Sequence, residues 1–265
     1  MGRVATIGRQ GLFLEEVEVR SMMGVGADYK HEKYCESLLL RQFGAKSADS
    51  WDYSNYEGAN HIADMNKPLR DVPTTYDTVL DAGSLEHVYN VPQALLNVSQ
   101  LCCVGGQILH ISPANNFCGH GFWQFSPELF FSLYSELNGY SETRVFLANE
   151  YRTDVWYEVV KPTNGERADV ISFTPVFALC RTVKVRQPCH ESVQQSDYIH
   201  IWQQNGARQP EAEVRPAWRA KLKSALQTSA LVDFAYMFYI KLAGKRSLSA
   251  RNPHLIVRTV ESLAG

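Results

Sequence analysis

The chain has 265 residues, 45% of them apolar and 11% aromatic, with a formal net charge of −2. That composition supports a sizeable packed core and argues against global disorder. A balance so near neutral offers no electrostatic footprint for nucleic acid, and no run of about 18 apolar residues marks a membrane span.

The opening "MGRVATIGRQG" lacks the apolar core of a secretory signal. Six cysteines, at 35, 102, 103, 118, 180 and 189, form no CxxC framework. The expected setting is therefore reducing and cytoplasmic. Cys118 with His120, and Cys189 with His190, each lack a matching second pair, so no metal site is expected from them.

"RVATI" (3–7) reads as a first strand ending at Gly8. Helical stretches are predicted at about 12–23 and 28–43, punctuated by "GVG". Two short extended segments then end near Asp52 and Asp64. Only twelve positions separate those acids, which leaves no room for a full helix. "YDTVLDA" (76–82) is a continuous apolar strand of the kind buried on both faces.

The helix that follows has Asn90 as its cap, Pro92 in its first turn and a stripe of Leu95, Val98 and Cys102. Cys102 and Cys103 are placed inside this helix, and Gly105-Gly106 stops it. "QILHIS" (107–112) is the next strand. Ser126, Pro127, Glu128 and Gly139 repeat the cap-to-stop pattern. "TRVFLAN" and "VFALCRTVKV" read as two more strands, with "KPTNGERAD" as a polar turn between them.

Strands alternating with helices predict a doubly wound α/β domain over 1–188, with a mostly parallel sheet and helices on both faces. Ligands bind such sheets at the carboxyl ends of the strands. Asp52, Asp64 and Asp81 fall at or near those ends, as does Gly8. The plain alternative is that each acid caps the helix after it.

"YDTVLDAGSLEHV" followed by "LLNVSQLCCVGGQILHISP" resembles the middle of a class I S-adenosylmethionine-dependent methyltransferase. In that family an aromatic-Asp strand leads into Leu-Glu-His-Val, here Leu85 to Val88, and a helix runs to Gly-Gly and the next strand. "SPANNFCGHGFWQFSPELF" resembles a branch linked to sugar or polysaccharide modification. The first loop departs from the family pattern: "IGRQG" keeps Gly8 and Gly11 but has no acid.

The resemblance implies a seven-stranded-type Rossmann-like sheet and S-adenosylmethionine as cofactor. It gives Asp52 the ribose hydroxyls and Asp64 the adenine amino group, with Met65 against the ring. Gly8 would lie against the methionine part, and Asp81 and Ala82 near the sulfonium.

A hydroxyl acceptor needs a base, and histidine suits that role. His87 follows the fourth strand, and His120 sits between two glycines after the fifth. His110, inside a strand, reads as structural. Glu86 orients a histidine, contacts substrate, or only favours the helix start. Asn115, Asn116, Trp123 and Gln124 offer the amide and aromatic groups that saccharide rings favour, or form a surface loop.

Residues 189–265 read as a polar linker and a helical region. Between 215 and 251 stand eight Lys or Arg and one acid, Asp233. That segment would contact an anionic membrane surface, or pack on its own domain or on a second copy in a homodimer. The rival functions are other acid-base chemistry on the same fold and a non-catalytic interaction module.

Overall fold

The computed structural model describes residues 1–24, 32–70, 72–187, 193–205 and 244–263, together with Phe234 and Phe238. Among the described residues, nine strands form one sheet: β1 Gly2–Ile7, β2 Ala45–Asp52, β3 His61–Ile62, β4 Tyr76–Ala82, β5 Cys102–Asn115, β6 Tyr140–Asn149, β7 Arg152–Val159, β8 Val176–Lys184 and β9 Leu255–Thr259. Their spatial order is β3-β2-β1-β4-β5-β8-β6-β7-β9.

The pairs from β3 through β5 are parallel. The four pairs beyond β5 are antiparallel. Reversal at β8 and again at β6 returns β6 to the direction of β5, so only β7 and β8 run against the rest. The sheet is thus doubly wound, with two strands more than the seven-stranded pattern. Chain order reverses between β1 and β4, which opens a crevice at their carboxyl ends.

The described helices are α1 Glu16–Met23, α2 Glu36–Arg41, α3 Val91–Leu101, α4 Pro127–Leu133 and α5 Ser196–Asn205, with a last turn at Val260–Leu263. Among the described residues, no helix is long and apolar enough to cross a membrane. Alternation along β1 sends neighbouring side chains to opposite faces. Val4 packs with Leu39 of α2, whereas Ala5 and Ile7 join the main core with Leu95 and Val98 of α3 and Phe130 of α4. Helices therefore cover both faces of the sheet around β1.

Local signals set the starts of α3 and α4 as expected, whereas α1 and α2 begin at Glu16 and Glu36, later than the stretches read at about 12 and 28. Asn90 accepts from the Gln93 amide, Ser126 accepts from the Glu128 amide, and a proline follows in each first turn. Three readings need correction. Cys102 and Cys103 open β5 instead of ending α3, because Cys102 turns extended and pairs with Tyr76. The segment 152–159 is a full strand, and "KPTNGERAD" lies after it.

The C-terminal stretch also supplies a strand, since β9 pairs with β7 along Val155–Val159. Arg215, Arg219, Lys221, Lys223 and Lys241 of the basic segment, like Cys189 and His190, lie outside the described residues. Of its remaining cations, Arg246 pairs with Asp169 at 3.4 Å.

Glu158 clamps that edge. It meets Arg144 of β6 at 2.8 Å and Arg258 of β9 at 2.7 Å. The Arg144 and Arg258 guanidiniums hold its carboxyl below the usual range. A depressed carboxylate stabilises above its unfolded pKa and loses that contribution as pH falls through the folded one. Glu158→Gln should thus cost about 1 kcal/mol at neutral pH and nothing in strong acid. Faster amide exchange across 255–259 is the expected readout; unchanged exchange at neutral pH refutes the clamp.

Candidate functional site

The crevice holds two adjoining cavities of about 670 and 330 Å³, and Gly8, Asp52, Gly83 and Ser84 line both. Gly8 has φ +71°, and a Cβ there would sit 2.5 Å from the Ser84 hydroxyl. Glycine is thus required twice over, by backbone angle and by close approach. Its amide donates to the Trp51 carbonyl at 2.7 Å.

Arg9 then pins the loop. Its Nε meets Glu36 at 2.7 Å, its Nη1 donates to the Glu57 carbonyl at 2.6 Å, and the guanidinium lies 4.0 Å over the Tyr34 ring. Gln10 ties the loop to β1 and to the next turn through the Ile7 carbonyl and the Ser84 hydroxyl. Arg9 and Gln10 line the larger cavity and hold its loop, and the sequence reading passed over both. Their only signal was a charged and an amide side chain inside a glycine loop.

Asp52 ends β2 and faces both cavities. Its two oxygens accept long hydrogen bonds from the Arg9 and Ser54 amides, at 3.2 and 3.3 Å. A carboxylate has about four acceptor sites, so capacity for a diol remains. Asp64 and Met65 line the smaller cavity beside Asp52. The Asn66 amide and the Lys67 ammonium hold the Asp64 carboxyl below its ordinary pKa. Met65 is buried in the main core, and its carbonyl accepts from Asn97.

Ala82 lines the larger cavity, but Asp81 does not line either. Asp81 is fully buried. One of its oxygens accepts from the Ser84 and Leu85 amides, at 3.1 and 3.2 Å. The other lies 2.9 Å from His110 Nδ1. A carboxylate only accepts, so His110 donates there, while its Nε2 faces the Tyr134 hydroxyl at 2.6 Å. Burial pushes that hydroxyl well above its ordinary pKa. Placing Asp81 beside a sulfonium is therefore corrected: the strand pleat turns it inward, where it organises the 3₁₀ turn Leu85–His87. His110 is buried, held between the Asp81 carboxylate and the Tyr134 hydroxyl.

Glu86, His87 and His120 come together at the crevice rim. Glu86 is 1% exposed, whereas the two imidazoles are 52% and 55% exposed. Glu86 Oε1 is 3.5 Å from His120 Nε2 and 3.9 Å from His87 Nε2. The imidazole centroids are 5.1 Å apart. His87 also lines the smaller cavity.

Backbone bonds from the Phe122 and Trp123 amides to the Glu86 carbonyl hold the loop against the turn. A Cβ at Gly121 would meet that carbonyl at 2.8 Å, so the close approach needs glycine there. Burial raises the Glu86 pKa, and burial with the neighbouring His120 lowers that of His87.

The expected saccharide-binding residues divide. Asn115 and Gln124 line a separate cavity of about 350 Å³ with Asp169. Asn116 spends its amide on the Ser172 and Thr174 carbonyls, at 2.8 and 2.9 Å. The Trp123 indole donates to the Val88 carbonyl at 2.9 Å. These two fasten the loop through the Asn116 side-chain nitrogen and the Trp123 indole.

No protein-family model matches the chain. No curated protein matches it either. Solved structures do. TehB from Haemophilus influenzae is 13% identical, with TM-score 0.37 over 68% of this chain and 57% of its own. A SAM-dependent methyltransferase from Thermotoga maritima is 14% identical, with TM-score 0.38 over 69% of this chain and 83% of its own. The N-methyltransferase NodS from Bradyrhizobium japonicum is 13% identical, with TM-score 0.37 over 70% and 86%. The chain thus spans under two thirds of TehB.

Proposed function

We propose that this chain is an S-adenosylmethionine-dependent methyltransferase acting on a hydroxyl of a small molecule or saccharide. The observation that carries this is the shared crevice: Asp52 and Asp64 face one cavity beside Gly8, at the point where strand order reverses. The residues fit a nucleoside carrying an amino-acid tail. Asp52 has acceptors left for the ribose diol, Asp64 and Met65 flank the base, and the Gly8–Gln10 backbone borders the larger cavity, where the tail would lie. When bound, the cofactor supplies a methyl already activated on sulfur.

The protein's work is then alignment and proton removal. Holding the acceptor oxygen in line can account for about 7–11 kcal/mol of the barrier. His120 takes the proton, with the buried Glu86 orienting the ring, and His87 joins the rim to the cofactor cavity. The engaged Asp81 has no part in this chemistry.

Titrating the protein with S-adenosylhomocysteine in a calorimeter tests the reading, and micromolar binding is expected. Asp52→Ala should weaken it by about 1.5–3 kcal/mol, roughly 10–150-fold in Kd, for two hydrogen bonds to a charged acceptor. An unchanged Kd in that variant, or no binding by the parent protein at millimolar concentration, would refute the proposal.

A further inference from the structure

We propose that Glu86, His87 and His120 form a binding site for one divalent transition-metal cation of the zinc class. Their donor atoms all lie within 4.8 Å of one another. Bonds of about 2.0–2.1 Å in a tetrahedral site put donors roughly 3.3–3.4 Å apart. The Glu86 and His120 donors, at 3.5 Å, already stand near that spacing. His87, at 3.9 Å from Glu86, needs a small swing that a half-exposed side chain can make.

The second observation is Glu86 itself. Its Oε2 is shielded from solvent and has no hydrogen-bond partner. A buried carboxylate left in that condition is costly unless something positive completes it. The loop is built to bring a ligand there. Gly119 and Gly121, at φ +90° and +73°, flank His120, and Gly121 lies directly against the Glu86 backbone. Two imidazoles and one carboxylate leave coordination positions open and select against magnesium and calcium, which take oxygen ligands.

The inference stands on these three side chains and is independent of the methyl-transfer reading. Its link to that reading is chemical. In the loaded protein the imidazoles are ligands, and the cation would lower the pKa of an acceptor hydroxyl on its open face, whose proton would pass to solvent water at this half-exposed rim. The His120 base role then belongs to the metal-free protein.

The test uses the full chain, stripped with a chelator and desalted, then titrated with Co²⁺ and with Zn²⁺. One equivalent should bind at micromolar free metal. The cobalt spectrum should show d–d bands without a thiolate charge-transfer band, which separates this site from the exposed Cys118. His120→Asn and His87→Asn, both changes at exposed side chains, should each weaken binding by at least the roughly 10–100-fold that loss of an outer-shell partner costs. Glu86→Gln should do the same, with thermal unfolding as its folding control. Absence of binding, a thiolate band, or unchanged affinity in both histidine variants overturns the proposal.

Discussion

Asp81→Ala is expected to cost about 3–5 kcal/mol of folding stability, the penalty for removing one partner from a buried polar pair. It strips the acceptor from the Ser84 and Leu85 amides and from His110 Nδ1, all at or inside the core. For a chain of this size the melting temperature should fall by roughly 10 °C. The measurement separates two roles for one residue. A structural Asp81 shows as lost stability. If the melting temperature is unchanged while S-adenosylhomocysteine affinity collapses, the carboxylate belongs to the cofactor after all, and the inward orientation is wrong.

The other large effect concerns turnover. His120→Asn should lower kcat by roughly 10²–10⁴, the usual contribution of a positioned proton acceptor. S-Adenosylhomocysteine affinity and melting temperature should stay near those of the parent protein, because more than half of the ring is exposed. Measuring the parent protein with and without chelator adds a second axis. Turnover that survives chelation identifies the imidazole as the base. Turnover that vanishes with the metal and returns with added Zn²⁺ identifies a cation-held hydroxyl. Unchanged turnover in the variant removes His120 from the chemistry.

The helix caps were legible because their causes are local. Asn90 and Ser126 each satisfy an amide two or three residues away, so neighbouring residues carry the whole signal. The strand over 76–82 was legible for a similar reason, as Tyr76, Thr78, Val79 and Leu80 are strand-favouring residues set close together just before the Ala82-Gly83 break. Asp52 and Asp64 could be placed at strand ends, since chain position alone puts them there.

The end of α3 was not legible. Cys102 and Cys103 continue its apolar pattern, but the competing partner is Tyr76 on β4, which draws Cys102 into the sheet. Nor was the direction of Asp81. Its partner is His110, opposite it in register and 29 residues on, and only the paired strands bring the two together. β9 was missed because its ladder partner, β7, lies about 100 residues earlier in the chain, and the two meet only in the folded sheet.

By itself, then, the sequence determined an alternating α/β order, the starts of α3 and α4 and a row of acids at or near strand ends, all consequences of short-range hydrogen bonding and of apolar periodicity. Tertiary structure decided which of those acids face the crevice. It also decided that Glu86 meets two imidazoles, one of them 34 positions away. Those outcomes depend on strand register and on a loop anchored to the Glu86 carbonyl, and no local rule can specify contacts between groups that only the closed sheet makes neighbours.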